Sequence, residues 1–240
     1  MVDIHCHLLF NIDDGAKNCD ESITIIKDMV SCGYTDIIIT PHYISNSNYA
    51  TPKINNISLL NTLKDRLNNE EIKVNLYLGN EIFIDYDVLD LLKEGLVSSL
   101  NNSHYVLIEL PMSGEFEGYL DVFHELMSYG YKVILAHPER YYAFQKDFNK
   151  VYEVVRNGVL LQSNLDSIIG GYGSNAKKMM KKILKEHLLS FLATDIHHRK
   201  HDYTKWLKAK KKALKYLSEE EFNKLVTDNP MNVIIDSNIT

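Results

Sequence analysis

The chain has only three cysteines in 240 residues: Cys6, Cys19 and Cys32. An odd count with no close pair gives no disulfide framework and no thiolate zinc motif. None of the three opens a Cys-x5-Arg sequence, so the phosphate-cradling loop of thiol chemistry is missing. No apolar run reaches the length that spans a bilayer, and no basic segment followed by an apolar one opens the chain. A soluble cytoplasmic protein without membrane insertion is therefore expected. No stretch rich in proline, glycine and serine forms a linker, which leaves a single domain over residues 1–240. Excess basic charge is absent too. The formal net charge of -6 argues against a nucleic-acid or anionic-membrane binder. The basic stretches 177–185 and 205–215 read as solvated helix faces.

What is present is an alternation. Short apolar runs at 2–7, 36–41, 74–81, 105–109, 132–137, 159–163 and 188–195 are separated by amphipathic stretches. The helix-like stretches are 21–32, 57–68, 88–94, 119–129, 148–156, 175–187 and 202–216. This order favours a mainly parallel α/β sheet. Near the C-terminus, Ser218-Glu219-Glu220-Glu221 is a capping-box sequence. Asp228-Asn229-Pro230 reads as the cap and first position of a last short helix. Seven strand–helix units predict a barrel related to the eightfold one, in which chemistry collects at the C-terminal strand ends.

Those ends carry candidate ligands. His5 and His7 lie two apart on the first run, and Asp195 and His197 repeat the spacing on the last. Residues i and i+2 of a strand face the same way, so each pair aims two donors at one point. Glu81, Glu109 and His137 each close an apolar run. A buried acid at such a place needs a cation or hydrogen-bond donors. Cys6, between two candidate ligands, should face away and pack. Asp14 sits in a turn-like Ile12-Asp13-Asp14-Gly15, where aspartate often serves the backbone instead. His42, after Pro41, is open between ligand and structural histidine. His104, His124, His187 and His201 read as surface or helix residues, and His198 stays open. Residues 45–51, polar and rich in asparagine, read as a loop at the rim of the site.

Taken together, Asp3-Ile-His5-Cys-His7, Asp13-Asp-Gly15, Thr40-Pro-His42, Gly79-Asn-Glu81, Leu107-Ile-Glu109, Ala136-His-Pro-Glu-Arg140, Asn164 and Thr194-Asp-Ile-His197 resemble the polymerase and histidinol phosphatase (PHP) family. Within it they look most like the bacterial tyrosine-protein phosphatases of capsule and exopolysaccharide loci. The resemblance implies a distorted (β/α)7 TIM-like barrel with a three-metal site. His5, His7, Glu81 and Asp195 would hold one ion. Glu81, Glu109 and His137 would hold the second, with Glu81 bridging, and Asp14, His42 and His197 the third. An all-oxygen-and-nitrogen donor set suits Mn2+, Fe or Zn2+, and the resemblance favours Mn2+. It further implies hydrolysis of phosphotyrosine by metal-activated hydroxide and a phosphate-binding arginine in the loop after His197, for which Arg199 is the candidate. Arg140, close behind His137, can grip phosphate with two prongs or instead pair with Glu139 or another neighbour. The implied partner is a phosphotyrosine protein, the tail of a bacterial tyrosine kinase that regulates polysaccharide synthesis. The rivals are a small-molecule phosphomonoesterase such as histidinol phosphatase, a PHP-type nuclease that the acidic balance disfavours, and a non-catalytic module that kept the fold.

Overall fold

In a computed structural model, residues 1–114, 118–198 and 203–239 are described. Among these described residues, nine short strands run in parallel: β1 (Val2–Asp3), β2 (Asp36–Ile39), β3 (His42–Tyr43), β4 (Asn75–Leu78), β5 (Glu81–Phe83), β6 (Tyr105–Glu109), β7 (Lys132–Ala136), β8 (Leu160–Asn164) and β9 (Phe191–Ala193). They form a three-stranded sheet ordered β1-β2-β4 and a six-stranded sheet ordered β3-β5-β6-β7-β8-β9. β2 and β3 are two halves of one strand position, parted at Thr40-Pro41. β4 and β5 are likewise parted at Gly79-Asn80. Cys6 bridges to Ile196 just past β9, flanked by His7 N–H to the Ile196 carbonyl at 2.9 Å and Asp195 N–H to the His5 carbonyl at 2.8 Å. Seven strand positions thus close on themselves as a distorted (β/α)7 barrel.

The second break is set by neighbouring segments. A Cβ on Gly79 would lie 2.6 Å from the Leu100 side chain, so the backbone passes too close for any larger residue. Asn80 then fills the break, donating to the Pro41 carbonyl at 3.1 Å and accepting from Ser98 N–H at 2.9 Å. At the strand ends, His137 and Asp195 take left-handed backbone conformations, φ 33° and 51°. Such a conformation costs an L-residue roughly 1–2 kcal/mol and turns each chain sharply out of its strand.

The barrel interior is layered. Val2, Ile38, Tyr105, Leu107, Ile134, Phe191 and Ala193 pack together inside, closed from below by Leu100 and Val233. One step toward the C-terminal mouth, the same inward rows become polar: Gln162 and Asn164 follow Leu160, Glu109 follows Leu107, and Asp195 follows Ala193. The period of two that builds the apolar layer also builds the polar one above it. Outside stand α1 (Cys19–Ser31), α2 (Lys53–Asn69), α3 (Val88–Lys93), α4 (Tyr119–Ser128), α5 (Tyr142–Lys146), α6 (Asn149–Arg156), α7 (Leu165–Ile169), α8 (Gly173–Lys185), α9 (Tyr203–Ala213), α10 (Glu219–Asn223) and α11 (Asn229–Ile234). Their apolar faces bury residues such as Ile26, Leu63, Phe123, Val151 and Ile183. Each such residue stabilises the fold by roughly 1.5–3 kcal/mol.

Several expectations needed correction. α2 starts at Lys53, four residues before the expected 57, because its first turn carries no apolar period to read. α5 and α7 were not anticipated, being too short for a periodic signal. The capping box at Ser218 forms as expected, its side chain accepting from Glu221 N–H at 3.1 Å while Glu221 accepts from Ser218 N–H at 2.7 Å. Asp228, however, does not cap. It lies in right-handed helical backbone inside a continuous π-helical turn, Lys224–Asp228, that carries α10 into α11. No described helix is long and apolar enough to cross a membrane.

Candidate metal centre

The N-terminal motif is shaped by its turn. After His7 the chain loops back so that Ala16 N–H reaches the His7 carbonyl at 3.1 Å. A Cβ on Gly15 would sit 2.2 Å from that carbonyl oxygen, so only glycine closes the turn. The turn delivers Asp13 underneath His7. Its Oδ2 lies 3.0 Å from His7 Nδ1 and accepts from His42 N–H at 3.0 Å, while Oδ1 accepts from Gly15 N–H at 2.9 Å. Asp14 points the other way, half-exposed, with Oδ1 3.5 Å from both His42 Nε2 and His197 Nε2.

A chain of side-chain amides fixes His5. Asp195 accepts only, so Asn164 must turn its NH2 to Asp195 Oδ2, at 2.6 Å. Asn164 Oδ1 then accepts from the Gln162 NH2 at 2.9 Å, and Gln162 Oε1 faces His5 Nδ1 at 2.8 Å. His5 Nδ1 must therefore carry hydrogen, and Asp13 demands the same of His7. In the neutral rings both Nε2 atoms are bare, yet they face each other at 3.3 Å. Two lone pairs in that position call for a cation between them.

The carboxylates agree. Asp195 Oδ2 takes Asn164, Arg140 at 3.0 Å and Tyr172 at 3.2 Å, leaving Oδ1 buried without a hydrogen bond among the described residues, 3.4 Å from both bare nitrogens. Glu81 Oε1 meets His137 Nε2 at 2.9 Å. Among the described residues its Oε2 has no hydrogen bond, and it lies 3.0–3.2 Å from His42 Nδ1, His5 Nε2 and His7 Nε2. Glu109 is more peripheral, with oxygens 3.7 Å from His137 Nε2 and from His42 Nδ1. Nine candidate side chains thus meet at the C-terminal mouth in overlapping groups: His5, His7, Glu81 and Asp195; His7, Asp14, His42 and His197; and Glu81 with Glu109, beside both His42 and His137. His42 approaches the second group as well as the third, and His7 the third as well as the first, which the sequence did not indicate. Buried bare nitrogens and bare carboxylate oxygens, with no sulfur among them, fit hard or borderline divalent cations.

The electrostatics ask for positive charge. Burial alone would lower the His5 pKa, but the Glu81 and Asp195 carboxylates outweigh it and push the ring up to about 9. Burial, then the charge of Glu81, lifts Glu109 to about 9. Burial opposes ionisation of Asp195, yet the neighbouring imidazoles hold it well below the usual carboxylate range. Burial and the nearby His7 bring His197 down to about 4.

Of the two arginines singled out in the sequence, Arg140 reaches the site, pairing with Asp195 and lying 4.5 Å over the Tyr172 ring. Its partner is not Glu139, which is fully buried and holds the β8 end through Asn164 N–H at 2.9 Å and Ser167 Oγ at 2.6 Å. Arg199 lies outside the described residues, as does His201. Cys6 faces away, its thiol 3.5 Å from the Ile38 carbonyl and its pKa raised by burial. His104, His124 and His187 are exposed and pair with Asp236, Asn157 and Glu221. His198 stands beside His197, ring centroids 6.4 Å apart. From the rim loop, Tyr49 lies parallel to His42 at 5.9 Å. Asp13, Tyr172 and Tyr49 were not singled out as site residues in the sequence. For Asp13 the signal was present, since a turn aspartate two before glycine is placed to serve a neighbour.

Comparison with known proteins gives a consistent result. The family described as "Capsular polysaccharide synthesis, CpsB/CapC" matches residues 1–235. A Staphylococcus aureus protein of the CapC name is 38% identical over 202 residues, 82% of this chain and 77% of that one. The tyrosine-protein phosphatase YwqE of Bacillus subtilis is 32% identical over 200 residues, 83% of this chain and 78% of its own. A solved structure, from work on YwqE of Bacillus subtilis and CpsB of Streptococcus pneumoniae described as metal-dependent tyrosine phosphatases, superposes with a TM-score of 0.87 at 28% identity. It covers 100% of this chain and 96% of that one. An amidohydrolase from Mycoplasma synoviae shares the fold alone, with a TM-score of 0.54 at 14% identity over 98% of this chain and 87% of that one.

Proposed function

The chain belongs to the capsular polysaccharide synthesis CpsB/CapC family, and on that ground we propose that it is a PHP-type, metal-dependent protein-tyrosine phosphatase acting in the cytoplasm as one domain over residues 1–240. The observation that carries the reading is the pair of bare imidazole nitrogens, His5 Nε2 and His7 Nε2, facing Glu81 Oε2 and Asp195 Oδ1, which have no hydrogen bond among the described residues. His5, His7, Glu81 and Asp195 would hold one ion; Glu81, Glu109 and His137 a second; Asp14, His42 and His197 a third. Mn2+ is the proposed metal. Bound ions supply Lewis-acid charge that makes hydroxide available near neutral pH and offsets charge on the phosphoryl oxygens.

The chain's own groups do the rest. Asp195 and the Tyr172 ring hold Arg140 at the mouth, where donors not spent on Asp195 can grip a phosphoryl oxygen. A phenolate leaving group, with a pKa of about 10, departs without a strong general acid, and none is assigned. Cys6 takes no part, being fully buried with a poorly acidic thiol. The substrate is taken to be a phosphotyrosine protein, the tail of a bacterial tyrosine kinase. The test is hydrolysis of a phosphotyrosine peptide by metal-stripped protein with and without Mn2+, with vanadate as control. Activity restored by Mn2+ and insensitive to vanadate supports the reading. A metal-loaded protein that leaves phosphotyrosine intact but hydrolyses histidinol phosphate would replace it with the small-molecule alternative.

A further inference from the structure

Two basic stretches that look like separate solvated faces along the sequence come together in the fold. α8 and α9 both pack on α7, and between α8 and the end of α9 lies a groove of about 390 Å³. Its walls carry Lys177, Lys178 and Lys181 from α8, and Lys212, Lys215 and Tyr216 from the other side. Met180 and Leu184 form part of its floor, and among the described residues no carboxylate lines it. None of these five lysines makes an ion pair among the described residues, although the chain as a whole has net charge -6. Both Lys177 and Lys212 line the groove, and burial, then the charge of Lys177, lowers the Lys212 pKa. Like charges brought together over an apolar floor repel one another unless an anion lies between them.

The groove also begins beside the metal centre. Tyr172, whose hydroxyl donates to Asp195 Oδ2, immediately precedes α8, and Ser174 already lines the groove. At 1.5 Å per residue, Lys181 stands about 14 Å farther along the helix, a distance an extended peptide covers in about four residues. We propose that this lysine groove is a docking site for an acidic peptide segment of the phosphoprotein whose phosphotyrosine occupies the metal centre. The proposal rests on the phosphatase reading for that second half. A concave groove with an apolar floor suits a peptide with mixed acidic and apolar side chains. A flat bilayer surface cannot enter it.

The test uses the whole chain and a triple variant, Lys177→Gln, Lys181→Gln and Lys212→Gln. Lys64→Gln, Lys73→Gln and Lys150→Gln, away from the groove, remove the same charge as a control. First, binding of an unphosphorylated glutamate-rich peptide is followed by fluorescence anisotropy at low and moderate salt, which needs no phosphatase activity. The groove variant should bind about tenfold more weakly, the size expected when three exposed charge pairs are lost, and the control should match wild type. Second, phosphotyrosine peptides with glutamates four to eight residues to either side are compared with glutamine counterparts. The groove variant should raise KM about tenfold for the acidic peptides alone, with kcat and the hydrolysis of 4-nitrophenyl phosphate unchanged. Equal anisotropy for wild type and groove variant overturns the docking site whatever the enzyme hydrolyses. So does lysine-dependent binding to phosphatidylserine vesicles without any effect on the peptide. Peptide binding that depends on the lysines, in a protein inactive on phosphotyrosine, would keep the groove as an acidic-peptide site, overturn its link to a phosphotyrosine substrate and reject the phosphatase reading.

Discussion

Replacing Asp13 by Asn separates two neighbouring acids that look alike in sequence. The Asp13 side chain is 1% exposed and gathers His7 Nδ1, His42 N–H and Gly15 N–H. Burial opposes its charge, but the hydrogen bond and charge of His7, then the two amides, win and lower its pKa from 3.8 to about 2. At 1.36 kcal/mol per pKa unit this is about 2.5 kcal/mol in favour of the carboxylate. The sign follows from a depressed folded value: the contribution is present above pH 3.8 and fades as pH falls through about 2. Asp13→Asn should therefore cost about 2 kcal/mol near neutral pH, which lowers a urea midpoint by about 1 M. Losing the partner that fixes His7, a proposed ligand, should also cut metal affinity about 10- to 100-fold. Asp14→Asn changes a half-exposed acid, so its midpoint should hold while metal content falls. Urea unfolding and metal analysis after dialysis measure both. An Asp13→Asn protein with the wild-type midpoint and full metal content would refute the orienting role.

Three further outcomes follow from the same site. Gln162→Met deprives His5 Nδ1 and Asn164 Oδ1 of their partners and should weaken metal binding about 10- to 100-fold; the adjacent Ser163→Ala, whose hydroxyl has no hydrogen bond among the described residues, should bind as wild type, and equal affinities would undo the relay. Gly15→Ala forces a Cβ into the His7 carbonyl and should cost about 1–3 kcal/mol together with metal occupancy, so an unchanged melting temperature would contradict the close approach. Glu109 and His5, both raised to about 9, hold protons at pH 7 in metal-stripped protein. Raised folded values mean stability lost as pH climbs, from about 4.5 for Glu109 and 6.5 for His5 up to about 9. The stripped protein should weaken from pH 6.5 to 9, while metal binding tightens and releases protons; calorimetry in buffers of different ionisation heat would detect them, and zero release would reject the assignment.

The ends of the apolar runs were legible because strand and helix periods are local and because a polar residue closing an apolar run is conspicuous. His5 with His7, Glu109, His137 and Asp195 with His197 could be named that way, and so could the parallel α/β order. The strand breaks at Thr40-Pro41 and Gly79-Asn80 could not, since the first meets Cys6 and Asn80 and the second Leu100 and Ser98, all on other segments. Nor could the left-handed turn at Asp195.

By itself the sequence determined the element order, the alternation that puts apolar and polar layers inside one barrel, and the donor types at its mouth. Only the tertiary structure decided which aspartate of Asp13-Asp14 lies under His7, that Gln162 and Asn164 pass the acceptor character of Asp195 on to His5, and that lysines about thirty positions apart share one groove. The reason is physical. Periodicity and turn chemistry are set by neighbours along the chain, whereas hydrogen-bond direction, burial and charge are set by whatever the barrel's closure brings within a few ångströms.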